Sequence, residues 1–168
     1  MTHVGRGATV AGMDLHSFLE RFFGSSRLLV KPGGAVLGGR VGSGMGSVLS
    51  GLHCDPSHDT LFVHSNGHTF EIYVVGATGG REVQFGVPNV ARYVRALENS
   101  GYFTRGKSLR LYACYSGRHS LAQELANALG REVLAPTGIG VNSCLGWTMD
   151  SFVMWLFCSH WTRFQPAR

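Results

Sequence analysis

The sequence has few charged residues and a small excess of basic over acidic side chains. Charged residues make up 15% of the chain, with 10 acidic and 15 basic side chains. The net charge of +5 favours acidic partners but does not identify one, because so small an excess also arises on ordinary solvated faces. The charge therefore does not support a nucleic-acid partner.

Cysteines and long apolar runs are also scarce. The four cysteines, Cys54, Cys114, Cys144 and Cys158, form no CxxC pair and are widely spaced. This pattern argues against a disulfide framework and predicts that the folded domain works in a reducing compartment. No secretion signal is recognisable at the N-terminus, and the apolar stretch 151–161 is too short to span a bilayer. The sequence therefore predicts no membrane partner, and residues 151–161 are interpreted as a buried final strand or helix.

The first third of the chain differs in composition from the rest. Residues 13–23 have apolar side chains at helical spacing, and a glycine-rich stretch follows over residues 31–46. The glycines match neither a Lys-Ser/Thr-terminated phosphate loop nor a clean GxGxxG, so loop or hairpin turns are favoured. We interpret residues 1–50 as a helix and a Gly-rich segment forming a linker or appendage, and residues 51–168 as the main domain.

The main domain shows alternating strand and helix patterns. Strands are predicted over residues 59–64 and 70–74, joined by a hairpin turn at Asn66-Gly67. A helix over residues 88–97, a strand ending near Cys114, a helix starting at Ser120 and a strand over residues 131–135 follow. Ser120 and Gln123 are predicted to form a capping box for the second helix. This order predicts an α/β fold with a mostly parallel sheet and flanking helices.

Two chemically active residues, His64 and Cys114, each follow a predicted strand. On a parallel sheet the carboxyl ends of their strands face the same edge, and neighbouring strands lie about 5 Å apart. A thiolate and an imidazole that meet there support acyl transfer: the thiolate attacks a carbonyl and the histidine delivers a proton to the leaving amine. Backbone N–H groups at Gly67 and Cys114 are the predicted donors to the oxyanion.

Three stretches of the main domain carry a resemblance to a known family. They are the His64 strand end, residues 111–117 (LYACYSG) and residues 121–137 (LAQELANALGREVLAPT). Residues 161–166 (WTRFQP) add a weaker likeness to the C-terminal segment of the same family. Together they resemble the caspase-like cysteine peptidases, and most closely the cysteine-protease modules of bacterial secreted and polymorphic toxins. The resemblance runs from about residue 57 to the end and is strongest over residues 109–137.

The resemblance implies a role for each matching residue. Cys114 would be the nucleophile and His64 its proton-transfer partner. The family has Gly directly after its histidine, whereas here Ser65 follows His64 and the glycine is Gly67, so His68 is the reserve candidate. The large-toxin members are activated by an inositol polyphosphate on a basic surface, but this chain has no dense Lys/Arg cluster. No other cofactor and no metal is predicted.

The resemblance also implies a biological setting. A module of this kind would be a toxin effector or a toxin-processing domain, secreted or delivered into the cytoplasm of a target cell. Its expected partners are a protein substrate and a cognate immunity protein.

The loop after the last predicted strand is the expected substrate-binding wall. Thr137, Gly138 and Asn142 are the candidate residues, and no acidic residue occurs between Pro136 and Trp147. An arginine bound there would lack a countercharge, so the residue before the scissile bond is predicted to be small or apolar. A preference for basic residues would mean either that the pocket is built elsewhere or that a carboxylate such as Asp55 or Asp59 reaches it from the histidine side.

Two other interpretations compete for the same residues. A cysteine or histidine at a strand end also serves as a buried or surface structural residue, which would make the domain a catalytically silent module that binds a protein or nucleic acid. A zinc site would draw on residues from one short stretch, namely His53, Cys54, His58, His64 and His68. No pair among them has the CxxC or HExxH spacing of a strong zinc motif.

Overall fold

The computed structural model describes residues 29–37, 49–50, 52, 54–76, 79–138 and 160–168, which form an α/β fold. The strands of its mixed sheet are β1 (Val30–Lys31), β2 (Gly34–Leu37), β3 (His58–Ser65), β4 (Phe70–Gly76), β5 (Gly79–Phe85), β6 (Ser108–Tyr112), β7 (Val133–Pro136) and β8 (Trp161–Phe164). The helices within these residues are α1 (Val87–Asn99) and α2 (Leu121–Leu129).

The central strands of the sheet are parallel. The order is β1-β2-β3-β6-β7-β8, in which β2, β3, β6 and β7 pair in parallel, while β1 and β8 pair antiparallel at the two ends. β4 pairs antiparallel with the end of β3 and then with β5, so these two strands extend from β3 as a hairpin. The predicted α/β fold with a mostly parallel sheet is confirmed.

Alternation along each strand divides the apolar side chains between the two faces of the sheet. Leu61, Leu109 and Leu111 are fully buried in one cluster together with apolar residues of α1 and α2. Phe62 and Tyr112 belong to a second cluster with Val36 and Leu52. Because successive side chains of a strand point to opposite faces, His64 shares the face of Phe62.

The helices begin and end largely as their patterns predict. In α1 the buried face is Val90, Tyr93, Val94 and Leu97, with Pro88 in the first turn. Gly130 ends α2 with φ +67°, a left-handed conformation that suits glycine. The predicted capping box is wrong, because the Ser120 hydroxyl bonds the Glu124 carboxylate and makes no bond to the helix backbone.

The described part of the Gly-rich stretch contains a predicted hairpin turn, at residues 32–33 between β1 and β2, and also the strand β2, which was not predicted. β2 is buried between β1 and β3 and pairs in parallel with β3 from Gly34↔Thr60 to Leu37↔Val63. The predicted helix over residues 13–23, the remainder of the Gly-rich stretch and the apolar stretch 151–159 lie outside the described residues. None of the described helices is both long enough and apolar enough to cross a lipid bilayer.

Candidate active site

His64 and Cys114 lie at or just beyond the carboxyl ends of two central strands, β3 and β6. β3 and β6 are parallel neighbours, paired from His58↔Ser108 to Phe62↔Tyr112. His64 and Cys114 each lie two residues beyond the last pair, Phe62↔Tyr112: His64 is still within β3, whereas Cys114 is in the turn that follows β6. Cys114 is half-buried and His64 is exposed. The condition for the two side chains to converge, that their strands are neighbours, is met.

The turn that carries Cys114 is held from behind by a buried serine. Ser116 is fully buried, and its Oγ donates to the Ala113 carbonyl at 2.7 Å. The Ser116 carbonyl in turn accepts from the Ala122 N–H in the first turn of α2 at 3.1 Å. These bonds connect the end of β6 to α2, so Cys114 lies on a short, braced connection.

Tyr115, directly after Cys114, has an unusual backbone conformation. Its φ of +56° is the only positive φ of a non-glycine among the described residues. For an L-residue this conformation costs about 1–2 kcal/mol. Its N–H donates to the Gly138 carbonyl at 2.7 Å, so the end of β7 holds the strained residue in place. Backbone strain of this kind is concentrated at functional sites.

Gly117 is needed because the Cys114 turn approaches the β7 backbone closely. The Gly117 N–H donates to the Pro136 carbonyl at 2.8 Å. A Cβ at this position would lie 2.7 Å from the Ala135 carbonyl oxygen and 3.0 Å from the Pro136 oxygen. Any side chain at residue 117 would therefore push the Cys114 turn away from β7.

Gly117→Ala is expected to lower the free energy of unfolding by roughly 1–3 kcal/mol, because the methyl group collides with backbone that cannot rotate away. Urea denaturation followed by circular dichroism measures this loss. Gly86→Ala is the matched control. Gly86 has φ −69°, and a Cβ added there would have Pro88 Cδ as its nearest neighbour, at 3.5 Å. Equal stability of the two variants would contradict the tight approach.

The hairpin turn beside His64 runs from Asn66 to Thr69. Asn66 Oδ1 accepts from the N–H groups of His68 and Thr69 at 2.9 and 3.0 Å. Gly67 has φ +93°, and its N–H donates to Ser65 Oγ at 2.8 Å. The predicted hairpin is confirmed, with a longer turn than the Asn66-Gly67 pair alone.

The two predicted oxyanion donors are in different situations. The Gly67 N–H is engaged by Ser65 Oγ, so it is not free to bind a substrate oxygen in this structure. Within the described part of the chain, the Cys114 N–H donates no backbone hydrogen bond. Cys114 itself therefore remains the better donor of the two.

The histidine turn packs directly against the cysteine turn. A Cβ on Gly67 would lie 3.0 Å from Tyr115 Cβ and 3.0 Å from His119 Cδ2, so a side chain there would crowd both residues, and the φ of +93° would add backbone strain. The His68 ring stacks on the His119 ring with centroids 4.1 Å apart and an interplanar angle of 26°. His64 instead makes an edge contact with Phe62 at 5.3 Å. The sequence analysis missed His119, which no motif or spacing indicates.

The predicted substrate wall is described only in part. Gly138 is buried and accepts the Tyr115 N–H, which places it next to Cys114. Thr137 is tied to the residue before β8: its N–H donates to the His160 carbonyl at 2.9 Å, and its Oγ1 accepts from the His160 N–H at 3.0 Å. Asn142 lies outside the described residues, as do Cys144 and Cys158.

Asp55 and Asp59 lie at the other end of the sheet from the candidate site. Asp59 is the second residue of β3, is 1% exposed and forms ion pairs with Lys107 at 3.5 Å and Arg131 at 3.6 Å. Asp55 pairs with Arg110 and His58, both at 3.1 Å. The suggestion that either carboxylate reaches the substrate pocket is therefore wrong.

The residues considered for zinc do not converge where the structure describes them. No group of three or more His, Cys, Asp or Glu side chains among the described residues could hold a metal ion. His58 is bonded to Asp55 at the start of β3, whereas His64 is near the end of the same strand. His53 lies outside the described residues.

Comparison with known proteins adds a family but no activity. Neither the curated proteins nor the solved structures contain a match to this chain. One family model, described as Domain of unknown function (DUF8616), matches residues 54–152, which is more than half of the 168-residue chain. The match includes His64, Cys114 and the strands and helices that position them. The chain therefore belongs to the family DUF8616.

Proposed function

We propose that this domain is a cysteine endopeptidase with Cys114 as nucleophile and His64 as its proton-transfer partner. The observation that supports this proposal is the parallel pairing of β3 with β6, because His64 and Cys114 lie at or just beyond the carboxyl ends of these two neighbouring strands. The strained Tyr115 and the buried Ser116 add support. Tyr115 follows Cys114 directly, and Ser116 bonds the carbonyl of Ala113 before it, so the backbone is fixed on both sides of Cys114.

The geometry suits covalent acyl transfer. The Cys114 thiolate attacks the carbonyl carbon of the scissile peptide bond and forms a C–S bond, and the carbonyl π electrons move to oxygen. The oxyanion accepts a hydrogen bond from the Cys114 N–H. As the C–N bond breaks, the protonated His64 gives its proton to the departing amine and leaves a thioester. Water then attacks the thioester while His64 removes a proton from it, and the acid and the thiolate are released.

The toxin setting is the part of the proposal that rests on the resemblance over residues 109–137. On that basis the domain is a toxin effector or a toxin-processing module that is delivered into a target cell. A protein is its substrate, and a cognate immunity protein is its binding partner.

Selective alkylation tests whether Cys114 is an activated nucleophile. Burial raises the pKa of the Cys54 thiol, so Cys54 holds little thiolate near neutral pH. We expect iodoacetamide to modify Cys114 roughly tenfold faster than Cys54, and ahead of the other cysteines, because only the thiolate reacts. Peptide mapping by mass spectrometry at increasing times measures each rate. The folded state is kept throughout by working without denaturant.

The same experiment separates a peptidase from a catalytically silent binding module. His64→Ala is expected to slow alkylation of Cys114 without changing the rate at Cys54. Equal rates at all four cysteines, or no dependence on His64, would favour the binding module. A panel of protein and peptide substrates then identifies cleavage products.

A further inference from the structure

Glu71 is the residue that strand pairing places directly opposite His64. β3 and β4 pair antiparallel at His64↔Glu71 and Ser65↔Phe70. Side chains of directly opposite residues leave the same face of a sheet, with Cβ atoms about 4.5–5.5 Å apart. A carboxylate therefore stands beside the imidazole on the strand that borders it.

The Glu71 carboxylate is held in place by the hairpin turn. Asn66 Nδ2 donates to Glu71 Oε1 at 2.8 Å. The orientation of the Asn66 amide is fixed in turn, because its Oδ1 accepts from the backbone N–H groups of His68 and Thr69. One carboxylate oxygen is thus tethered to the turn, and the second is left for another partner.

The charge of Glu71 is not neutralised by a basic residue in the described part of the chain. There, Asp55, Asp59, Glu98 and Glu132 each have an arginine or lysine within ion-pair distance, but Glu71 has none. An unneutralised carboxylate favours a cation on a directly opposite residue. His64 is the residue directly opposite Glu71.

We propose that Glu71 is a positioning residue that stabilises the protonated form of His64 and so favours the thiolate of Cys114. This inference rests on the proposed Cys114–His64 pair, and it adds a third member supplied by the neighbouring hairpin. Asn66 supports the arrangement by fixing the carboxylate through its bond to Glu71 Oε1.

A double-mutant cycle on the full chain tests the role of Glu71. Glu71→Gln keeps the shape and the bond from Asn66 but removes the charge, whereas Glu71→Ala removes both. The rate of Cys114 alkylation by iodoacetamide near neutral pH is measured in each variant, alone and combined with His64→Ala. Thermal unfolding of each protein establishes that it is folded.

We expect both Glu71 variants to slow alkylation by about threefold, the size of an opposite-charge pair across two strands. With His64→Ala present, neither variant has a further effect, because Glu71 acts through the imidazole. Glu124→Gln is the matched control: it removes the same charge from the first turn of α2, and its effect should be the same with and without His64.

Two results would overturn the inference. If Glu71→Gln reacts like the unaltered protein and only Glu71→Ala is slow, Glu71 merely holds the turn through Asn66. If the effect of Glu71→Gln persists with His64→Ala, the carboxylate does not act through the histidine. Absence of any Cys114-dependent cleavage would instead overturn the peptidase proposal, and the alkylation cycle would still decide the coupling between Glu71 and His64.

Discussion

Cys114→Ala is expected to abolish peptide cleavage while leaving the domain folded. The substitution removes the only nucleophilic atom that the proposed reaction uses, so no thioester forms. Cys114 is half-buried in a turn that is held by Ser116 and Gly138 through backbone bonds, and none of these bonds uses the thiol. The free energy of unfolding should therefore change by less than about 1 kcal/mol. Cleavage of a peptide library and urea denaturation measure the two quantities.

Cys54→Ala provides the matched control for this substitution. Cys54 is the other half-buried free cysteine among the described residues, and it packs near Gly34 and Leu52 before the start of β3. We expect the Cys54 variant to keep full activity. Full residual activity in Cys114→Ala, or equal losses in the two variants, would contradict the peptidase proposal.

The elements with strong periodicity were predicted from the sequence. The strand ending at His64, the hairpin that follows it and helix α1 were predicted because their apolar residues repeat at intervals of two or of three to four. The mostly parallel sheet was also predicted, since strand and helix alternate along the chain. This is why His64 and Cys114 could be assigned to the same edge of the sheet.

The strands that lack such a pattern were not predicted. β2 has only three apolar residues in a Gly-rich stretch, and it is a strand because it pairs with β1 and β3. β5 begins with two glycines and two charged residues and depends on its pairing with β4. Pairing with neighbouring strands overrides the local preference of such segments.

The contacts between the Cys114 turn and the hairpin turn beside His64 could not be predicted from the sequence either. A positive φ is expected at glycine or asparagine, so nothing marks Tyr115 as the strained residue. The stacking of His68 on His119 joins residues about fifty positions apart, and no local motif encodes it. The Ser120 hydroxyl was predicted to cap α2 but has a closer partner in Glu124, a choice that the capping-box pattern does not distinguish.

The contact between His68 and His119 leads to a sharp prediction about the two candidate histidines. His64→Ala is expected to lower turnover by about a hundredfold or more, as removal of an acid–base group does. His68→Ala should cost only a few-fold, because what it removes is an aromatic contact worth about 0.5–1.5 kcal/mol. Steady-state kinetics on a cleavable peptide would measure both losses.

His119→Ala is the control that identifies the origin of the smaller effect. It breaks the same ring contact from the other side, so it should reproduce the loss seen in His68→Ala, and the double variant should lose no more than either single one. A hundredfold loss in His68→Ala with a small one in His64→Ala would assign the proton transfer to His68. His119 would then be the residue that orients the catalytic imidazole, and the position of Gly67 between Tyr115 and His119 would hold that imidazole against the Cys114 turn.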